Sequence, residues 1–230
     1  MSLFNHANVT CPHCDAQFDV EVVASVNADR RPDLRQQILD GAFQAETCGT
    51  CGTVFRLPPS FSYIDVGRSQ WIMAYPANEL ENWVALEAQA ADIFATAYGA
   101  AAPPAARAIG ADLVPRITFG WPAMREKLLC LDLGLDDAIL ELLKAAVMRT
   151  VQKPPFADTT ELRLLGAEHG ALALAWLNSM TEATLAGLEV PRDIYTDIAN
   201  DTAAWAAMRT RLIGHSFTDL NRLLVPALAA

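Results

Sequence analysis

Two Cys-x-x-Cys pairs constrain the fold of this chain more than any other feature of its sequence. CPHC (residues 11–14) and CGTC (residues 48–51) are separated by 33 residues. Their surroundings, CPHCDAQFDV and CGTCGTVFRL, match as C-x-x-C-[D/G]-x-x-F-x-[V/L]. Four thiolates in such paired spacing suit a tetrahedral Zn²⁺ site that needs no histidine. The pattern therefore predicts one structural Zn²⁺ ion bound by Cys11, Cys14, Cys48 and Cys51.

The residues that follow each pair favour a zinc knuckle over a redox site. The residue after the second cysteine of a knuckle often takes a left-handed conformation, which Gly52 adopts freely and Asp15 tolerates better than most. Phe18 then opens the stretch FDVEV, whose apolar and polar residues alternate as in a strand. A thioredoxin-type Cys-x-x-Cys instead begins a helix, whose dipole lowers the thiol pKa. A thiol-disulfide redox enzyme or sensor, and iron in place of zinc, remain the alternatives for these cysteines.

The gap between the pairs is longer than the roughly 15–20 residues of compact zinc ribbons, so it predicts a structured insert. For residues 1–76 we predict a zinc-ribbon-like β module with a helical insert. Its elements are a strand over residues 18–27, a helix from Pro32 to Asp40 that ends at Gly41, a strand over residues 43–47, and a hairpin that turns near residues 65–67.

Residues 77–230 predict a second module that is mixed or mainly helical, so the fold class is α+β. Asn78 and Glu81 form a capping-box pattern at the start of a helix, and the alanine-rich residues 99–110 suggest an exposed connector. Lys144 is expected to complement the negative end of a helix that begins at Asp136 or Asp137. The other predicted elements are strands over residues 117–119, 161–165, 171–177 and 184–190, and helices after Pro122, after Pro191 and over residues 202–213.

Several stretches resemble the bacterial CpXC family. They are the CPxC and CxxC pairs, the insert PDLRQQILDG (residues 32–41), the stretch RITFGWPAMREKLLCLDLGLDDAILELLK (residues 116–144) and VPRDIYTDI (residues 190–198). The resemblance implies a zinc-binding N-terminal domain in a cytoplasmic bacterial protein, with all four paired cysteines as ligands. It supplies no catalytic residue. Asp15 departs from the glycine that many knuckles have at this position.

Composition and charge narrow the classes of partner. The formal net charge is −10, with 27 acidic and 17 basic residues, which disfavours binding to nucleic acid or to anionic lipid. A nucleic-acid-binding zinc ribbon is kept as a further alternative by analogy of fold alone. No apolar run approaches the roughly 20 residues that span a bilayer, and paired cysteines suit a reducing compartment. We therefore expect a cytoplasmic protein.

Catalytic motifs are absent from the sequence, which contains no glycine-rich phosphate loop, nucleophile elbow or His-Glu-x-x-His. This favours a non-enzymatic protein that acts by binding another protein. The other candidate residues are interpreted structurally: His13 as an exposed knuckle tip, His169 as an exposed turn residue, His215 as a residue without a named partner, Asp136 and Asp137 as helix-capping residues, Cys130 as a core residue, and Trp71, Tyr75 and Trp83 as residues buried between the two modules.

Overall fold

The computed structural model describes residues 2–151 and 159–225, in which short runs of strands and of helices follow one another. The strands are β1 Leu3–Thr10, β2 Gln17–Asn27, β3 Ala45–Thr47, β4 Val54–Arg56, β5 Phe61–Asp65, β6 Gln70–Tyr75, β7 Val114–Phe119, β8 Thr160–Glu168, β9 Ala171–Asn178 and β10 Thr184–Pro191. The helices are α1 Pro32–Leu39, α2 Trp83–Tyr98, α3 Pro104–Gly110, α4 Gly120–Asp132, α5 Asp137–Thr150, α6 Arg192–Asn200, α7 Ala206–Leu212 and α8 Asn221–Leu224. The predicted α+β fold is confirmed.

The largest sheet has five strands in the order β1-β2-β5-β6-β7. The pairs β1–β2 and β5–β6 are antiparallel, whereas β2–β5 and β6–β7 are parallel. The crossover from β2 to β5 contains α1 and the β3–β4 hairpin, and the crossover from β6 to β7 contains α2 and α3. Because β7 comes from beyond residue 76, the sheet draws strands from both predicted modules.

Alternation along β6 places two apolar layers on opposite faces of this sheet. Ile72 and Ala74 point to a layer that contains residues of α1 and α4. Trp71 and Tyr75 point to the other layer, which includes Trp83 of α2. Since successive side chains of a strand alternate between faces, one short strand serves both cores. The three aromatic residues are each less than a tenth exposed, which confirms the prediction that they are buried.

A second sheet, of three antiparallel strands in the order β10-β9-β8, forms a separate core with α5, α6 and α7. The helix α4 packs between the two sheets, because its opposite faces contribute to different cores. Met124 and Leu128 contact the core of the five-stranded sheet, whereas Cys130 belongs to the core of the second sheet. The prediction that Cys130 is a core residue is confirmed.

Most predicted elements are found, and three local expectations need correction. β1 was not predicted, although it forms the edge of the large sheet. The capping box at Asn78 and Glu81 is wrong: residues 77–82 form a 3₁₀ helix, and α2 begins only at Trp83. The predicted connector over residues 99–110 contains the helix α3, although most of its residues are exposed.

Candidate metal centre

Each cysteine pair lies in the tight turn of a β-hairpin. The first pair connects β1 to β2, and the second connects β3 to β4. Both turns use the same hydrogen bonds. The amide of Cys11 or Cys48 donates to the carbonyl five residues on, at 2.9 Å in both turns. The amide four residues on donates back to the carbonyl of the same cysteine, at 3.0 Å in the first turn and 2.8 Å in the second. The sequence match between the pairs is therefore a match in backbone structure.

The residue after each pair has the predicted left-handed conformation. Asp15 has φ of 59° and Gly52 has φ of 71°. This conformation turns the chain back after the second cysteine, so that both sulfurs of a pair face the same side. Asp15 carries a conformational cost that glycine avoids, because its Cβ crowds the backbone at positive φ.

The two turns bring the four sulfur atoms together. The Sγ atoms of Cys11 and Cys51 are 3.7 Å apart, as are those of Cys14 and Cys48. All four lie within 4.8 Å of one another. None of these four cysteines forms a disulfide; two are buried and Cys51 is exposed. The predicted ligand set is therefore assembled by residues that are far apart in the chain.

Hydrogen bonds around the sulfurs favour thiolates, while crowding of the sulfurs opposes them. The hydroxyl and amide of Thr53 lower the pKa of Cys51 to about 6. Backbone amides in the second turn also lower the pKa of Cys48. The amide of Ala16 acts to lower the pKa of Cys14, but the neighbouring cysteines outweigh it and raise that pKa to about 12. The protein alone does not favour four thiolates at once, and a bound cation would supply the missing positive charge.

The cysteine cluster is held against the rest of the fold through the second hairpin. Phe18 and Phe55 pack edge to face with ring centroids 6.1 Å apart. The guanidinium of Arg56 lies 3.9 Å from the ring centroid of Trp121 and donates to Glu182 at 3.1 Å. Arg125 donates to the same carboxylate at 2.5 Å. These contacts connect the hairpin to α4 and to the loop between β9 and β10.

None of the three histidines named as candidates belongs to this cluster. His13 is exposed, as predicted, and its backbone amide donates to Cys11 Sγ at 3.4 Å. His169 lies in the β8–β9 turn and is exposed, which is also as predicted. His215 does have a partner, because its Nδ1 lies 3.0 Å from Nη2 of Arg222.

The acidic pair at the start of α5 has two different roles. The carboxylate of Asp136 accepts the amides of Ala138 and Ile139, which confirms helix capping. Asp137 instead forms ion pairs with Arg116 at 2.7 Å and with Lys127 at 2.9 Å. These two cations outweigh burial and hold the pKa of Asp137 well below its usual range.

A second cluster of ionisable groups, which the sequence did not predict, lies buried between α4, α5, β8 and the C-terminal segment. We call it the buried ion network, and its members are Glu126, Glu141, Lys144, Glu161, Arg163 and Asp219, each less than a tenth exposed. Lys144, expected to complement the helix dipole, instead donates to Glu126 at 2.5 Å and to Glu141 at 2.9 Å. Arg163 donates to Glu126 at 3.0 Å, to Asp219 at 2.6 Å and to Glu161 at 2.5 Å.

The network includes three carboxylates close enough to bind a metal ion, Glu126, Glu141 and Asp219. Lys144 and Arg163 already supply positive charge between them, so the arrangement is that of an ion-pair cluster. Burial raises the pKa of Glu141 to about 7, against the effect of Lys144. Burial acts likewise on Asp219, but the cations outweigh it and lower that pKa to about 2.

Comparison with known proteins gives one match. A family model described as CpXC protein matches residues 9–144, a range that contains both cysteine pairs and ends within α5. No curated protein and no solved structure matches the chain. The match confirms the resemblance over residues 9–144, which include β7 and α4 as well as the knuckles, whereas the resembling stretch of residues 190–198 lies outside it. None of the helices in the described part of the chain is both long and apolar enough to cross a bilayer.

Proposed function

This chain belongs to the CpXC family, and we propose that its four paired cysteines bind one structural Zn²⁺ ion. We further propose that the zinc-stabilised protein is non-enzymatic and cytoplasmic and acts by binding another protein. The two parts of the proposal have separate support and separate tests.

The spacing of the sulfur atoms carries the zinc assignment. A tetrahedral site with zinc–sulfur bonds of about 2.3 Å has sulfur–sulfur edges of about 3.8 Å. Two cross-pair distances, between Cys11 and Cys51 and between Cys14 and Cys48, are 3.7 Å. Four thiolates fill the coordination of Zn²⁺ and leave no position for substrate. This supports a structural role rather than a catalytic one.

Metal analysis of untagged protein, with thiol titration before and after chelation, tests this assignment. We expect about one zinc per chain, and four thiols released by the chelator, because metal-bound thiolates are shielded. Cys11→Ser should lose the metal, whereas Cys130→Ala, which removes the fifth cysteine, should keep it. Protein that is folded but free of metal, or that contains iron, would reject the zinc assignment.

The edge strand β1 supports the proposal of a protein partner. It lies at the end of the five-stranded sheet, and most of its residues are exposed, with Leu3 53% exposed. An exposed edge strand offers backbone groups to which a partner can add a strand. Leu185, on the edge strand β10 of the other sheet, is 50% exposed and provides a matched control.

Cross-linking of zinc-loaded protein in lysate of its source, followed by mass spectrometry, tests the partner. We expect a specific protein that cross-links near β1 and is lost in Leu3→Lys but kept in Leu185→Lys. Absence of any specific cross-link, or equal capture by both variants, would count against a partner at this edge.

Thiol redox chemistry is a second candidate, favoured by one observation. Cys51 is exposed, and its Sγ lies 3.7 Å from that of Cys11. This candidate predicts a disulfide that forms and reduces reversibly in metal-free protein as isolated. The zinc assignment instead predicts slow alkylation of Cys51 until the metal is removed.

A further inference from the structure

The strands β1 and β2 form a ribbon that extends beyond the rest of the five-stranded sheet. β2 pairs with β1 from Gln17 to Ser25, but with β5 only from Ser25 to Asn27. Two strands by themselves bury little apolar surface, and none of the residues of β1 is fully buried. A third strand on the free edge of β1 would therefore stabilise the ribbon.

β1 lacks the features that usually keep an edge strand from pairing with another chain. Its sequence, LFNHANVT, contains no Asp, Glu, Lys, Arg or Pro, and its pairing with β2 is regular from Phe4 onward. The other edge strands of the two larger sheets differ. β7 contains Pro115 and Arg116, whereas β8 and β10 each have a bulge and a glutamate, Glu161 and Glu189. Charges, prolines and bulges are the means by which native sheets avoid pairing at their edges.

Hydrogen bonds of the first hairpin show which backbone groups of β1 face the free edge. The amide of Cys11 donates across the turn at 2.9 Å, so it points toward β2. Amide directions alternate along a strand, so the amides of the even-numbered residues of β1 point away from β2. Val23, which lies opposite Phe4, agrees with this, because its amide donates to Oε1 of Gln44 at 2.9 Å rather than to β1.

The sequence of β1 is complementary to itself in antiparallel alignment about a two-fold axis at His6. His6 then faces His6 of a second copy, and Phe4 faces Asn8. These residues have the outward backbone groups, and each such pair exchanges two hydrogen bonds. Leu3, which is 53% exposed, faces Val9 of the copy, so one apolar side chain covers another.

Charge does not oppose this alignment, although the formal net charge of the chain is −10. The acidic residue opposite His6 on β2 is Glu21. With neighbouring strands about 4.8 Å apart, the two Glu21 residues of a dimer would be three spacings, or about 14 Å, apart. This exceeds the Debye length of about 8 Å at physiological ionic strength, so their repulsion is largely screened.

We propose that two copies of this protein form a symmetric dimer through β1, in which the strands β2-β1-β1-β2 make one continuous sheet. The proposal names the partner at the edge strand and rests on the role proposed for β1 above. A single strand pair buries less surface than the roughly 1,600 Å² of a standard interface, so we expect a dissociation constant of about 1–100 μM. The contact is isologous, because each copy contributes the same strand.

Sedimentation equilibrium of the purified full chain, at concentrations up to about 200 μM, tests for the dimer. His6→Pro removes the central outward amide, a change that an edge strand tolerates, and should weaken dimerisation at least about tenfold. His6→Ala is the matched control, since it keeps the amide, and should dimerise. Both variants should keep the metal content of the unaltered protein. A monomer at all these concentrations, or equal dimerisation of the two variants, would overturn the proposal.

Disulfide formation tests the register and does not depend on the folding of His6→Pro. Leu3 and Val9 of the copy form a non-hydrogen-bonded pair with a Cα–Cα distance of about 4.5 Å, which a disulfide can bridge. Leu3→Cys mixed with Val9→Cys should therefore cross-link faster than Leu3→Cys alone, whose two cysteines would be about 20 Å apart. Equal rates would overturn the alignment.

The two proposals for β1 can fail separately. A monomeric protein that cross-links to a different protein at β1 in lysate would overturn the dimer and leave the proposed function standing. A dimer that meets both tests, with no other protein captured, would support this inference and count against binding of another protein.

Discussion

Lys144→Met should be among the most damaging single substitutions in this protein. The ammonium lies 2.5 Å from Glu126 and 2.9 Å from Glu141, and all three side chains are at most 1% exposed. Methionine has a similar length but no charge, so the substitution leaves two buried carboxylates facing each other. Arg163 still donates to Glu126 at 3.0 Å, whereas the nearest remaining cation to Glu141 is Lys127, at 4.0 Å.

Breaking a buried ion pair by removing one partner costs about 3–5 kcal/mol, because it leaves an uncompensated buried charge. We expect Lys144→Met to lower the free energy of unfolding by this amount, a large share of the roughly 5–15 kcal/mol typical of a domain. Urea unfolding of the zinc-loaded protein at a pH above 7, where Glu141 is ionised, measures it as a lower midpoint at unchanged slope. The double variant Lys144→Met/Glu141→Gln should recover part of the loss, since it removes one of the orphaned charges.

Arg149→Met is the matched control for this substitution. Arg149 lies five residues further along the same helix, is exposed, and its guanidinium lies 5.0 Å from the ring centroid of Trp205. Loss of such an exposed contact should cost no more than about 1 kcal/mol. If Lys144→Met cost no more than Arg149→Met, the carboxylates would have to be solvated or protonated, and the argument from burial would be refuted.

Four further substitutions test the local arguments. Burial raises the pKa of Glu141 from 4.5 to about 7, so this group binds its proton more tightly in the folded state. Relative to Glu141→Gln, the unaltered protein should therefore lose stability, on the order of 3 kcal/mol, as the pH rises from 4.5 to 7. A stability difference that stays flat across this window would contradict the assignment. Gly52→Ala places a Cβ on a residue with φ of 71°; no neighbouring atom obstructs it, so the cost is that of the left-handed backbone alone. The substitution should weaken metal binding about fivefold in a chelator competition, and Asp15→Gly should strengthen it. Equal affinities would show that the turn is not under strain. Asp136→Ala removes the acceptor for two amides at the start of α5 and should lower the free energy of unfolding in urea by about 1 kcal/mol, whereas a change below a few tenths would mean that water caps the helix equally well.

The features that the sequence predicted correctly depend on local interactions. The knuckle turns follow from cysteine spacing and from a residue that accepts positive φ, and both determinants lie within six residues of each other. The helix α1 follows from Pro32 at its first turn, and β2 from alternation of apolar residues. The sequence also predicted that the four sulfurs belong to one site, because each of the two matching turns supplies two ligands and a tetrahedral metal site needs four.

The edge strand β1 shows where local signals are weak. It has a neighbouring strand on one side only, and none of its residues is fully buried. Its sequence therefore lacks the clear apolar face by which a buried strand is predicted. The capping pattern at Asn78 and Glu81 fails for the opposite reason. The capping motif is present, but residues 77–82 form a 3₁₀ helix instead. The helix α2 begins only at Trp83, which packs among the aromatic residues on one face of the large sheet.

By itself the sequence determined the two turns that present the cysteines and most of the strands and helices, because each depends on residues close together in the chain. It also predicted that the four cysteines form one site, through the match between the two pairs. Only the tertiary structure decided that β7 pairs with β6, and that Glu126, Lys144 and Arg163 meet in one buried network. On its own helix or strand, each of these charged residues looks like an ordinary surface group. Their burial results from the packing of α4 between two sheets, and that packing is a property of contacts between distant segments rather than of any one of them.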